Sequence, residues 1–391
     1  MRTLHLPPHA SPFERGVFHG ESLRHEIAEI AAIRSELCQS QAMFRSDDEL
    51  LRVAALHLPV LRDFDADLHD ELRGIAEGAR IAPERLVVLN HYTDLKDLDP
   101  SRVLGGAGEA RERPTDKEED CTAIVAGTAS GAYLGQTWDM HGSAAPFVTM
   151  LHVPARIARD AQGEDRALPE AWLLSIAGCL GMAGMNAHGV GVTINNLKSE
   201  DARLGLVWPA LVRRVLCERT AEAGRDSVTA APLGSGHHYL VADARRAFGI
   251  ETSGTLAEVW AEADLSVPDS GFHHENHCLG TEVKKVSSIS PVSTTLERFA
   301  RLDRSIRERP IQSGVDLWRR LGSHDGHPRS VCTHLASPSS PHAMSTCAGL
   351  LLDLGARVAH AHPGCLHGVE LEGLGGSGVV AERFAFEEGS P

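Results

Sequence analysis

Residues 119–140 read Glu-Asp-Cys-Thr-Ala-Ile-Val-Ala-Gly-Thr-Ala-Ser-Gly-Ala-Tyr-Leu-Gly-Gln-Thr-Trp-Asp-Met, and this stretch decides the fold. A polar, Gly-rich run from Ser101 to Asp120 stops there, and an apolar run from Cys121 to Ala126 starts at the next residue. The apolar run, the small turn residues Thr128 to Ala132 and the run Tyr133 to Asp139 predict strand, turn, strand. Folding this hairpin about Ser130 sets Cys121 opposite Asp139, a thiol beside a carboxylate. If the chain is cut between Asp120 and Cys121, the freed α-amino group has a pKa of about 8. It can then serve the adjacent thiol as general base without a histidine partner. Taken singly, Cys121 reads as a buried core cysteine and Asp139 as a solvated strand end. Seam, hairpin and carboxylate together point to catalysis.

Upstream of the seam, helical periodicity runs from about Ser22 to Asn90. Leu23, Ile27, Ile30 and Ile33 recur at three- and four-residue steps, and Leu50, Ala54, Leu58 and Leu61 do so again. A third amphipathic stretch covers Asp65 to Arg80, and Pro83-Glu84 starts a short fourth helix. The Gly-rich segment before Cys121 carries Pro114 and the charge run Asp116 to Asp120. It reads as an exposed linker, the reachable kind of chain that cleavage requires. Downstream, Ala171 to Met185 and Val190 to Asn195 read as a second strand pair about the turn Asn186 to Gly189. A helix is expected over Val207 to Ala221, strands over Tyr239 to Asp243 and Ala247 to Glu251, and helices over Ser293 to Arg309 and Gly314 to Leu321. Strands and helices in this order suit an α+β layered sandwich.

The chain has 391 residues, 42% of them hydrophobic, enough for one large domain or two. A net charge of −15 argues against nucleic acid and anionic membrane partners. The N-terminal residues lack the apolar h-region of a secretory signal, and no apolar run approaches the roughly 18 residues of a membrane span. Eight cysteines without a CxxC pair suit reduced thiols and a cytoplasmic location.

Four blocks, EDCTAIVAGTASGAYLGQTWDM, GMAGMNAHGVGVTINNL, FHHENHCLG and SVCTHLASPSSPHAMSTCAGLLLDLGARVAHAHPGC, resemble in order those of the isopenicillin N acyltransferase family of N-terminal-nucleophile hydrolases. The resemblance implies a four-layer αββα sandwich in which 1–120 is a helical α segment ending in a flexible linker. Residues 121–391 are then the catalytic β segment, the two forming one domain and, after self-cleavage, an αβ heterodimer. It also implies that Asn276, in Phe272-His273-His274-Glu275-Asn276-His277-Cys278, supplies an oxyanion-hole N–H. Asn195 matches a recurrent asparagine near the active site, though it could simply end a strand. Ser235 matches a pocket serine as readily as a turn serine. Near Thr333 the family commonly carries an arginine linked to a substrate carboxylate. That recognition is in doubt in this chain, with Arg329 or His334 left to compensate.

The expected activity is therefore that of a self-processing amidohydrolase or acyltransferase. It acts through an acyl-enzyme on Cys121 upon a small N-acyl or β-aminoacyl amide or thioester, without a cofactor. The competing reading is a non-catalytic or metal-binding protein on the same scaffold, left uncleaved. His274-Glu275-Asn276-His277 is one residue short of the HExxH zinc spacing, and His360, His362 and His367 show no metal-site spacing, so no metal is expected.

Overall fold

The structure is a computed structural model that describes residues 1–105, 120–159, 164–371 and 378–386. The linker read from the sequence therefore lies outside the described residues, apart from 101–105 and Asp120.

The hairpin forms as strands Cys121–Thr128 and Gly131–His141. Its register differs from expectation: Cys121 faces Trp138, and Thr122 faces Thr137. The cause is the turn. Thr128 and Gly131 close a two-residue loop at Ala129-Ser130, and the Thr128 hydroxyl accepts from the Ser130 N–H at 3.1 Å. Centring the hairpin on Ser130 would need a three-residue loop, and losing one loop residue moves every pair by one. Because side chains alternate, that slip sends the Asp139 carboxylate to the opposite face from the thiol.

The two faces meet different neighbours. Cys121, Ala123, Val125, Leu134 and Trp138 belong to the core between two sheets, together with Val192, Ile194 and Leu240. Ile124, Ala126 and Tyr133 belong to a second core under helices, with Leu302, Leu317, Trp318 and Leu321. The sheet carrying the hairpin has seven strands, in the order Ser270–His274, Cys121–Thr128, Gly131–His141, Met344–Asp353, Val358–Pro363, Val380–Ala385, Glu370–Leu371. The facing nine-stranded sheet is built round Gly191–Ser199, flanked by Ala183–Asn186 and Gly236–Ala242. Gln136 stitches the sheets together, its Oε1 accepting from the Ile194 N–H at 3.1 Å.

Helices Thr295–Glu308 and Gly314–Leu321 cover the outer face of the first sheet, and Trp208–Val215 and Ala221–Thr229 that of the second. The result is the expected α+β sandwich of four layers, αββα. Helices of the N-terminal segment add a further layer: Pro12–Ser22, Arg24–Gln41, Asp47–Phe64, Ala66–Ala79 and Pro83–Asn90. The first was not read from the periodicity, although Ser11 and Glu14 form a full capping box at its start. It packs on Ala66–Ala79 through Gly16 and Gly20 against Gly74 and Gly78, so closely that a Cβ on Gly16 would sit 2.1 Å from the Glu71 carbonyl oxygen.

Two other expectations need correction. Ala171 to Met185 is not one strand but two, Ala171–Ile176 and Ala183–Asn186, because Gly178 and Gly181 at φ of 83° and 138° turn the chain between them. The helix expected to reach Ala221 ends at Val215, and Thr220 instead caps a new helix at Ala221–Thr229.

Candidate active site

Cys121 opens its strand, and one arginine holds its carbonyl oxygen together with Asp120, Thr122 and Asn276. Arg298 lies on helix Thr295–Glu308 at the buried stripe with Thr295 and Leu302, and only 1% of it is exposed. Its Nη1 donates to the Cys121 carbonyl oxygen and to Thr122 Oγ1, both at 2.9 Å. Its Nη2 donates to Asp120 Oδ1 at 2.8 Å and to Asn276 Oδ1 at 2.9 Å, and its Nε to Thr294 Oγ1 at 3.0 Å. All five guanidinium hydrogens are thus used on the two residues of the Asp120-Cys121 bond and their immediate supports. Burial disfavours the charge, yet Asp120, Glu275 and Asp139 hold the Arg298 pKa above its ordinary value.

The backbone N–H of Cys121 donates to Asn276 Oδ1 at 2.8 Å. Asn276 Nδ2 donates instead to the Asn196 carbonyl oxygen at 2.9 Å. The uncut chain therefore turns the amide oxygen of Asn276, not the expected N–H, towards Cys121. Two donors, Cys121 N and Arg298 Nη2, converge there and require an acceptor.

Asp139 is fully buried on the helix side of the sheet. Its Oδ2 accepts from Thr137 Oγ1 at 3.2 Å, and its Oδ1 has no hydrogen-bond partner. Burial raises its pKa to about 7, against hydrogen bonds from Thr346 and Thr137 and the charge of Arg298. The Cys121 thiol, also buried, is pushed well above its ordinary range, by burial first and by the charge of Asp139 second. Its Sγ lies 3.9 Å from the Asp139 carbonyl oxygen. The two side chains thus interact by charge from opposite faces rather than side by side.

Among the other expected site residues, Asn195 and Thr333 lie one contact away from this group. Asn195 Nδ2 donates to the His274 carbonyl oxygen at 3.2 Å, and its Oδ1 meets His238 Nδ1 at 2.9 Å. The Thr333 N–H donates to Thr346 Oγ1 at 3.0 Å, and Thr346 stands opposite Asp139 in the sheet. Ser235 and His334 belong elsewhere. The Ser235 hydroxyl donates to Asp97 at 2.9 Å, on the N-terminal helices, and His334 is exposed, its ring 4.9 Å from those of His324 and His327. Arg329 is engaged with Glu297 at 2.6 Å.

The histidines of the Asn276 block diverge. His274 meets Glu251 at 2.8 Å, His273 meets Glu275 at 3.2 Å, and His277 meets Thr295 at 2.9 Å. Burial lowers the His277 pKa to about 4. Arg298 was missed in the sequence, because it stands on an arginine-rich helix whose buried stripe also carries Thr295 and so does not mark it.

Two facing sheets between helical layers are the layering of the N-terminal-nucleophile acyltransferases and amide hydrolases, and the family match assigns the chain to that class. Residues 127–342 match the family described as acyl-coenzyme A:6-aminopenicillanic acid acyl-transferase, and the chain belongs to that family. It is 24% identical over 334 residues to the acyl-coenzyme A:6-aminopenicillanic-acid-acyltransferase 40 kDa form of Emericella nidulans, covering 84% of each chain. Among solved structures it is similar to a mutant of conjugated bile acid hydrolase from Clostridium perfringens, at a TM-score of 0.40 and 10% identity, over 62% of this chain and 89% of that one. It is also similar to penicillin V acylase from Agrobacterium tumefaciens, at a TM-score of 0.36 and 12% identity, over 62% and 82%. Both likenesses in shape are too weak to bear on the chemistry. The family match begins six residues after Cys121 and does not include it.

Proposed function

We propose that the chain cleaves itself between Asp120 and Cys121 and thereafter works as an N-terminal-cysteine amidohydrolase or acyltransferase. The observation that carries this reading is the convergence of Arg298 and Asn276 on the Asp120-Cys121 pair. A structural arginine at a strand end has no need to hold the residue before the strand, the first carbonyl and the asparagine on the first N–H all at once.

In the processing step the Cys121 thiolate attacks the Asp120 carbonyl carbon, the C–N bond breaks, and the nitrogen leaves as the new α-amine. Water then hydrolyses the resulting thioester. Before the cut the Cys121 nitrogen is an amide and cannot act as a base, so the thiol proton needs another acceptor. Solvent takes it and returns a proton to the nitrogen as the C–N bond breaks, while Asp139, on the opposite face of the sheet, acts on the thiol through its charge alone. After the cut the amine takes over as base. Asn276 Oδ1 then holds one amine hydrogen, and the second Nδ2 hydrogen of Asn276 is the oxyanion donor. The charge of Arg298 keeps the amine unprotonated near pH 7.

In turnover the thiolate attacks a small N-acyl or β-aminoacyl amide, or a thioester. The amine passes the thiol proton to the leaving group, and water or a second amine releases the acyl group. Asn195, held by the His274 carbonyl oxygen, and Thr333, held by Thr346, are assigned to the substrate side of the site from their place beside Asn276 and Asp139; Ser235, bound to Asp97, and exposed His334 lack that support. Hydrolysis is favoured over transfer, since the sequence carries no dedicated coenzyme A segment. The two pieces, 1–120 and 121–391, stay together as an αβ heterodimer of one domain. Buried links such as Arg213 to Glu71 at 2.7 Å and His237 to Asp94 at 2.7 Å support this. A reducing compartment, the cytoplasm, is supported by eight free thiols.

Asn276→Ala tests the assignment. It should slow turnover by about two to three orders of magnitude while Cys121 remains alkylatable. Unchanged turnover in folded, processed protein would remove Asn276 from the reaction.

A further inference from the structure

We propose a metal site, independent of the catalytic reading, formed by His324, Cys332 and Cys365, with zinc or a similar borderline-soft divalent cation as its ligand. Among the described residues these three alone bring metal-binding donor atoms together, all within 4.8 Å of one another. They come from two segments far apart in the chain: the loop after helix Gly314–Leu321 and the loop after strand Val358–Pro363.

The spacing suits a tetrahedral cation. With metal–sulfur bonds of about 2.3 Å and metal–nitrogen bonds of about 2.0–2.1 Å, the edges of such a site are about 3.7 Å between sulfurs and about 3.5 Å between sulfur and nitrogen. Cys332 Sγ stands 3.6 Å from Cys365 Sγ, and Cys365 Sγ stands 3.2 Å from His324 Nε2. The third edge, His324 to Cys332, is within 4.8 Å. Supports of the kind that orient metal ligands are in place. The Leu366 N–H donates to Cys332 Sγ at 3.4 Å. The His324 ring is stacked on His367 at 4.1 Å, and His367 Nδ1 is itself tied to the Gly322 carbonyl oxygen at 3.1 Å.

Binding forms two metal–thiolate bonds and one metal–imidazole bond. The two thiol protons pass to solvent. His324 and Cys365 are only half-buried, so the fourth position is open to water. A disulfide accounts for less: the sulfurs are far beyond the bond length of about 2.05 Å, an oxidant is needed, and His324 has no part in it. The cation would fasten the Cys332-Thr333 segment, which hydrogen-bonds Thr346 beside Asp139.

The test uses the full chain purified under reducing conditions from zinc-supplemented medium. Elemental analysis should give about one zinc per chain, falling at least tenfold in Cys365→Ser and in His324→Ala. Cobalt added to the zinc-free protein should produce a thiolate-to-cobalt absorption that Cys365→Ser abolishes and Cys278→Ser leaves unchanged. In wild type alone, zinc should protect Cys365 from alkylation until a chelator is added. Zinc-free protein with no cobalt absorption and unprotected Cys365 overturns the proposal. So does zinc retained in both variants, or an intact mass two hydrogens lower, which marks a disulfide.

Discussion

Arg298 and Asp139 carry the sharpest consequences at the scale of single residues. Arg298 is a buried cation paired with Asp120 at 2.8 Å, so removing it strands a buried carboxylate. In an uncleavable Cys121→Ala background, Arg298→Met should lower stability by about 3–5 kcal/mol, and adding Asp120→Leu should restore most of the loss. A chemical-denaturation series checks both, and a single-variant cost near zero would deny the clamp. Asp139 is the opposite case, a carboxyl whose folded pKa is raised, to about 7. The unfolded chain binds fewer protons than the folded one between pH about 4 and 7, so stability falls as pH rises through that window, by on the order of 4 kcal/mol in all. In the Cys121→Ala background, Asp139→Asn should therefore leave stability little changed at pH 4 and raise it at pH 8. A stability difference independent of pH would contradict the buried charge. Cys121 and Asp139 were both legible in the sequence because each stands at the edge of an apolar run. Arg298 was hidden inside a helix that reads as ordinary amphipathic structure.

Among elements, the hairpin shows how far pattern reading reaches. Both strands were legible from apolar runs and small turn residues, but their register depended on whether the loop holds two residues or three. That single residue decided which side of the sheet the carboxylate occupies. The strand pair Ala171–Ile176 and Ala183–Asn186 was fused for a similar reason: both strands are buried on both faces, so no alternation marks the break at Gly178 and Gly181. The helix Pro12–Ser22 was missed because it presents glycine rather than leucine to its neighbour. Gly16 meets Gly74 where a Cβ would lie 2.1 Å from backbone, so Gly16→Ala should cost about 1–3 kcal/mol by overpacking. Thermal unfolding of that variant tests the packing, and an unchanged midpoint would mean that the helices separate without penalty.

For the whole molecule, the α+β layering followed from the order of helical and strand patterns, whereas the pairing of distant strands did not. Gly131–His141 lies beside Met344–Asp353, more than two hundred residues later, and no local pattern encodes that contact. The layers bury Cys121 and hold Asp120 on Arg298, and the central claim is that this closed arrangement opens itself. The most direct measurement is the intact mass and N-terminal sequence of the freshly purified full-length protein, beside Cys121→Ala. The account predicts two pieces of 120 and 391 − 120 = 271 residues, the larger beginning at Cys121 with a free amine, and a single uncut chain for the variant. An active wild-type protein found only as the uncut chain, or one beginning at any other residue, would contradict it.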